Sequence, residues 1–237
     1  MSPPLIGITT YGRNEAGEFP LPAAYVDAIR RAGGIPLLLP AGEKQVGPLV
    51  DCLDGLVLGG GGDLDVAIYG GKPHEALYMV DEERDQSELA LIQAFIPTNK
   101  PILCICRGFQ LVNLFYQGSL IEHLPDEVGE GVLHRLPPRL PVPHPVKVKE
   151  DSRLADILGA NSINPASWHH QGIRELGRGL EAVAWAPDQV IEAMEMKSHP
   201  WLIGVQWHPE LTYDTDPDQL KLFQAFVQAC TSPQEEP

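Results

Sequence analysis

Three side chains from two distant segments of the chain could together cleave an amide bond: the thiol of Cys106, the imidazole of His208 and the carboxylate of Glu210. Attack by cysteine needs the thiolate, a base to take its proton and a group that fixes the base's tautomer. Cys106 stands where the apolar run Pro101-Ile102-Leu103-Cys104-Ile105 turns sharply into Arg107-Gly108-Phe109-Gln110. A strand-turn-helix of this kind holds a side chain at its apex. Gly108 allows close helix-strand packing, and the helix N-terminus favours the negative charge of a thiolate. The adjacent Arg107 is expected to add to that effect. Cys104 lies inside the strand, and Cys52 and Cys230 lie on helical stretches, so these three read as small buried hydrophobes.

The base and its partner follow the apolar run Leu202-Ile203-Gly204-Val205-Gln206, in Trp207-His208-Pro209-Glu210. Pro209 biases His208 toward an extended conformation, and residues two apart on an extended chain point the same way. His208 and Glu210 thereby become neighbours. A third segment, Gly59-Gly60-Gly61-Gly62-Asp63, follows Leu56-Val57-Leu58 and can bring backbone N–H groups close to a developing oxyanion. It lacks the Gly-x-Gly-x-x-Gly spacing and a following Lys-Ser/Thr, so a nucleotide-phosphate loop is a poor reading.

Alternating elements must carry these three segments. The runs Leu5–Thr9, Ile35–Leu39, Gly55–Leu58 and Ile102–Ile105 read as strands, with helical spacing between them at residues 24–32, Lys44–Cys52 and Asp85–Phe95 and a helix over Arg107–Tyr116. Strands apolar on both faces imply a parallel sheet covered by helices on each side, with the three segments at the C-terminal edge. Glu122–Val148 breaks the pattern with a proline-rich run and is expected to be an irregular excursion walling a pocket. Beyond a short helix near Arg153–Leu158, the runs Leu180–Trp185, Val190–Met196 and Leu202–Gln206 predict a partly antiparallel extension, closed by a helix over Asp218–Cys230 and a frayed polar tail from Thr231 to Pro237. One domain spanning 1–237 is expected.

The 237 residues carry 17 Lys and Arg against 32 Asp and Glu, a net charge of −15 with no basic run, so nucleic acid is an unsuitable partner. An acidic surface mildly favours cationic ligands such as amines but more commonly serves solubility. No segment reads as a signal peptide or a membrane span, and four cysteines without a framework spacing fit a reducing cytoplasm. No His, Cys and carboxylate spacing suggests a metal site, so no metal and no cofactor is expected. Arg84 and Glu88 have i,i+4 spacing and read as a surface helix pair; His134 and His144 receive no role.

Taken together, Cys106-Arg107-Gly108-Phe109-Gln110, the glycine loop through Tyr69 and Gln206-Trp207-His208-Pro209-Glu210 resemble the class I glutamine amidotransferase-like hydrolases, and most nearly the γ-glutamyl-γ-aminobutyrate hydrolase family. Ile6-Gly7-Ile8-Thr9, Arg84-Asp85-Gln86-Ser87-Glu88, His134-Arg135 and Trp168-His169-His170-Gln171-Gly172 extend the resemblance over nearly the whole chain. It implies a flavodoxin-like α/β fold, a three-layer sandwich around a mostly parallel sheet. It further implies a γ-glutamyl thioester on Cys106, an oxyanion held by the N–H of Arg107 with that of Gly60 or Gly61, and contacts to a small γ-glutamyl substrate from Gln110, His169 and Gln171. Cys104 and Val66 depart from the family's usual glycine and proline. Two other functions remain open: a glutaminase subunit feeding ammonia to a synthase partner, and a catalytically silent binding relative. A homodimer is a further possible partnership.

Overall fold

The computed structural model describes residues 2–231; the expected frayed tail lies outside the described residues except for Thr231, which ends the last helix. The first half alternates as β1 (Leu5–Thr9), α1 (Ala23–Arg31), β2 (Ile35–Leu39), α2 (Val46–Cys52), β3 (Gly55–Leu58), α3 (Glu82–Phe95), β4 (Ile102–Ile105) and α4 (Arg107–Phe115). A middle section follows, of β5 (Ser119–Ile121), α5 (Leu124–Val128), β6 (Val142–Pro143) and β7 (Val146–Val148). The chain then forms α6 (Arg153–Leu158), β8 (Ser162–Ile163), β9 (Ala166–Ser167), β10 (Gly172–Glu175), β11 (Leu180–Trp185), β12 (Ile191–Met196), β13 (Leu202–Val205) and α7 (Pro217–Thr231).

A nine-stranded sheet, in the order β2-β1-β3-β4-β13-β12-β11-β7-β8, organises the molecule. From β2 to β13 neighbours are parallel, and from β12 outward they are antiparallel. Alternation along each strand feeds two cores. Ile6, Ile8, Val57, Leu103 and Ile105 pack with residues of α1, α6 and α7. Leu56, Leu58, Ile102 and Cys104 pack on the opposite face with residues of α2, α3 and α4. The result is a helix-sheet-helix sandwich.

Two expectations need correction. The excursion 122–148 is less irregular than its prolines suggest: it holds α5, and β7 pairs with β11 as part of the main sheet. Strand β2 is apolar yet only half covered, with Ile35 and Leu38 exposed, because it is the sheet's edge. Its apolar sequence therefore does not mark burial on both faces.

Candidate functional site

Strand β4 lies between β3 and β13, all three parallel, so their C-terminal ends open side by side. The glycine loop leaves β3, Cys106 leaves β4 and the His208 segment leaves β13. Cys106 takes φ 50° and ψ −100°, a region a side chain enters only under constraint. Its N–H donates to the Val205 carbonyl at 2.8 Å, and its carbonyl accepts the first helical bond from Gln110 at 3.1 Å. Gly108 makes the turn possible: a Cβ there would stand 2.4 Å from the Leu58 carbonyl oxygen. The thiol is thus placed at the N-terminus of α4, almost wholly buried.

His208 reaches this thiol from β13. Its N–H donates to the Ala166 carbonyl at 2.9 Å, and its Nδ1 lies 2.6 Å from Glu210 Oε1, with both side chains buried. The pairing arises differently from the extended chain foreseen: Pro209–Leu211 form a 3-10 turn that brings Glu210 back under the ring. Burial alone would lower the imidazole's affinity for its proton. The charges of Glu210 and Cys106 overcome that cost and raise it well above the ordinary histidine value. Nδ1–H is committed to the carboxylate, leaving Nε2 to exchange a proton with sulfur.

Gln206 was part of the recognised motif but received no role. Fully buried, its Nε2 donates toward Cys106 Sγ at 3.5 Å, while its Oε1 accepts from Gln110 Nε2 at 3.1 Å. Gln110 therefore acts on the thiol through Gln206 as well as lining the cleft. Cys104 points into the opposite core, and burial pushes its thiol far above the usual range. It is inert at neutral pH.

The two candidate oxyanion glycines differ. The Gly60 N–H is already spent on the Tyr25 hydroxyl at 3.0 Å, deep in the protein. Gly61, at φ +146°, makes no hydrogen bond through its N–H and lines the cleft beside Cys106 and Arg107. The Arg107 N–H, in the first turn of α4, also lacks an intrahelical acceptor. The Arg107 guanidinium does not serve the thiol as expected. It forms ion pairs with Asp85 and Glu88 of α3, and Glu88 also takes Arg84 Nε at 3.0 Å. Arg84 Nη2 in turn donates to the carbonyls of Gly60 and Gly59 at 2.8 and 3.3 Å. Arg84 and Glu88 are accordingly not a surface pair: two arginines and two carboxylates form a buried, charge-balanced network tying the glycine loop to the elbow.

A narrow cleft opens over Cys106, lined by Gly61, Gly62, Asp63, Tyr78, Arg107, Gln110 and residues Trp168 to Gln171. Its volume is far below the ~300–1,000 Å³ of sites for larger organic ligands. Gln171 is buried there with neither amide atom hydrogen-bonded. His169 touches the cleft but aims Nε2 elsewhere, toward Glu192. Asp63, overlooked in the sequence, receives His170 Nε2 at 3.0 Å and the Tyr78 N–H at 2.8 Å. A larger hollow of about 460 Å³ adjoins the cleft through the shared His169 and His170, walled by residues 123–138 of the 122–148 excursion. The excursion thus walls one side of a pocket, as its break in periodicity suggested.

Residues 4–210 match the peptidase C26 family model. A Mycobacterium tuberculosis protein provisionally named glutamine amidotransferase Rv2859c is 38% identical, over 97% of this chain and 76% of its own length. The γ-glutamyl-γ-aminobutyrate hydrolase PuuD of Escherichia coli K12 is 33% identical, over 97% of this chain and 94% of its own. Among solved structures, the glutaminase domain of Trypanosoma brucei CTPS with bound acivicin superimposes with a TM-score of 0.64, at 14% identity over 95% of this chain and 93% of that one, a likeness of fold. No helix among the described residues is long and apolar enough to cross a membrane. With its family model matched from the first strand to the His-Pro-Glu turn, the chain belongs to the peptidase C26 family of glutamine amidotransferase-like hydrolases.

Proposed function

We propose that the protein hydrolyses a γ-glutamyl amide of a small amine, γ-glutamyl-γ-aminobutyrate or a similar compound, through a γ-glutamyl thioester on Cys106. The observation that carries this reading is the strained Cys106 elbow facing a buried His208–Glu210 pair at the floor of a compact polar cleft. Sulfur attacks the γ-carbonyl carbon, and the C–N bond breaks as the His208 imidazolium gives its proton to the departing amine. Neutral His208 then takes a proton from water, whose oxygen attacks the thioester; glutamate leaves and the thiol returns. The carbonyl oxygen is held by the N–H groups of Arg107 and Gly61 while it bears charge. One such donor is worth ~10²–10³ in rate. Gly60 drops out of this role because Tyr25 occupies its N–H.

The glutamyl end carries an ammonium and a carboxylate, and the cleft with its adjoining hollow offers a partner for each. Asp63 supplies negative charge. Gln171 supplies an unpaired amide, and Arg135, whose buried Nη1 makes no hydrogen bond, lies over the Tyr78 ring at 5.7 Å from its centroid. The adjoining hollow has room for the amine. The test is a panel of γ-glutamyl amides and glutamine, assayed with the wild type and Cys106→Ala, with intact-mass detection of the adduct. A glutamyl adduct on Cys106 and loss of turnover in the variant are expected. Full activity in Cys106→Ala, or an adduct on Cys104, would sink the mechanism; glutamine as the sole substrate would move the reading to a glutaminase.

A further inference from the structure

Three histidines and one glutamate, separated by up to 58 positions between His134 and Glu192, meet in the interior beside the cleft. His134 lies in the loop after α5, His144 between β6 and β7, His169 just beyond β9, and Glu192 on β12. Their candidate ligand atoms all fall within 4.8 Å of one another, and all four residues are buried. Sequence spacing concealed the group because each member comes from a different segment.

The hydrogen bonds around the cluster fix what faces its centre. His134 Nε2 lies 3.0 Å from Asp188 Oδ2, His144 Nδ1 lies 3.1 Å from the Pro145 carbonyl, and His169 Nδ1 lies 2.8 Å from the Gln171 carbonyl. Those three oxygens only accept, so each ring carries its proton on the outward nitrogen. The inward nitrogens of the neutral rings, His134 Nδ1, His144 Nε2 and His169 Nε2, then present lone pairs. They point at Glu192 Oε1 from 3.2, 3.5 and 3.4 Å. These nitrogens and both Glu192 oxygens are buried and make no hydrogen bond. Four acceptors converging on one point repel one another unless a cation lies between them.

We propose that His134, His144, His169 and Glu192 bind a zinc ion. Zinc takes imidazole nitrogen and carboxylate oxygen at ~2.0–2.2 Å in a tetrahedron, whose edges are then about 3.3–3.6 Å. The three separations measured from Glu192 Oε1, 3.2, 3.5 and 3.4 Å, lie within about 0.1 Å of those edges. The outward acceptors are the supports that orient metal-bound histidines, Asp188 on His134 being a carboxylate–histidine pair. Four protein ligands close the coordination sphere, so this ion is structural. It fastens the 122–148 excursion, through His134 and His144, and the Trp168–Gln171 segment to β12, and thereby holds one wall of the cleft over Cys106.

The proposal stands apart from the choice of substrate, and its test reads metal rather than turnover. Untagged protein, purified without added metal or chelator, is to be measured for metal by plasma mass spectrometry. About one zinc per chain is expected in the wild type and in Cys106→Ala, and little in Glu192→Gln or His144→Ala. Chelator-stripped wild type refilled with cobalt(II) should show the visible bands of a tetrahedral site without a thiolate charge-transfer band. Zinc should raise the thermal midpoint of stripped wild type and leave that of His144→Ala unmoved. Should a variant fail to fold, by circular dichroism and gel filtration, the cobalt spectrum of the wild type still decides. The proposal is overturned if stripped wild type binds neither zinc nor cobalt, in which case a proton holds the cluster together. It is equally overturned if the spectrum shows thiolate ligation, or if folded Glu192→Gln and His144→Ala retain the ion.

Discussion

At the scale of single residues, the site separates groups that are satisfied from groups that wait. His208 is satisfied: Glu210 holds its Nδ1, and the two negative neighbours keep its proton well above the ordinary value against the opposing cost of burial. Replacing Glu210 by Gln removes that support while leaving the side chain's shape. The His208 titration, followed by NMR, should fall toward about 6.5, and kcat/KM should drop by ~10²–10⁴. An unmoved titration would refute the assigned pairing. The sign for stability follows from the same shift. The folded chain binds this proton more tightly than the unfolded one, so its contribution is complete below about pH 6.5 and lost as pH rises through the elevated folded value. Gln171 is the waiting group, a buried amide with no partner. Gln171→Leu should therefore leave the melting midpoint unchanged or raise it, since an unsatisfied buried polar group costs ~1–3 kcal/mol. The same change should raise KM for the γ-glutamyl substrate several-fold; a large loss of stability with normal KM would assign Gln171 to structure instead.

At the scale of elements, α3 governs the site without entering it. Its Arg84 pins the glycine-loop carbonyls, and its Asp85 and Glu88 draw the Arg107 side chain away from the cleft. That geometry aims the Gly61 and Arg107 N–H groups while withholding the guanidinium. A Cβ at Gly61 would come 2.2 Å from Arg84 Nη1, which shows how closely the loop rests on this arginine. Arg84→Met removes one charge from a balanced buried network and leaves Glu88 short of a partner. Destabilisation of ~3–5 kcal/mol is expected by denaturant unfolding. A lower kcat should accompany it at temperatures where the variant remains folded. Arg84→Met combined with Glu88→Gln should recover part of the stability, because charge balance returns, without recovering kcat. Recovery of both together would mean that the loop does not need Arg84. The i,i+4 spacing of Arg84 and Glu88 was legible in the sequence, but their burial was not, since their partners come from the glycine loop after β3 and from α4.

At the scale of the whole molecule, what could be read from the sequence divides by how far apart in the chain the partners lie. The parallel half is built from neighbouring strand-helix units, so local periodicity located β1 to β4 and the Cys106 elbow. The consecutive antiparallel strands β11, β12 and β13 were legible in the same way, but β7 joins β11, and the three histidines join Glu192, across long separations, and no local pattern disclosed either. Net charge is another whole-molecule property visible in sequence alone, and it competes with local charge at the cleft. The chain carries −15, whereas Arg135 and Arg139 stand over Tyr78 at the cleft's rim. Long-range attraction is screened within a Debye length of ~10 Å at 0.1 M salt, while contacts inside a cleft are screened much less. Two γ-glutamyl amides of similar length separate the two influences, one whose leaving amine bears a second ammonium and one whose leaving amine bears a carboxylate. As salt rises from low ionic strength, kcat/KM for the cationic substrate should fall and that for the anionic substrate should rise, because the acidic field steers the first inward and repels the second. Initial-rate assays across a salt series provide the measurement. Identical salt dependence for the two would show that the surface charge does not reach the cleft. The reverse order would show that Arg135 and Arg139, rather than the net charge, set the field a substrate meets on entry.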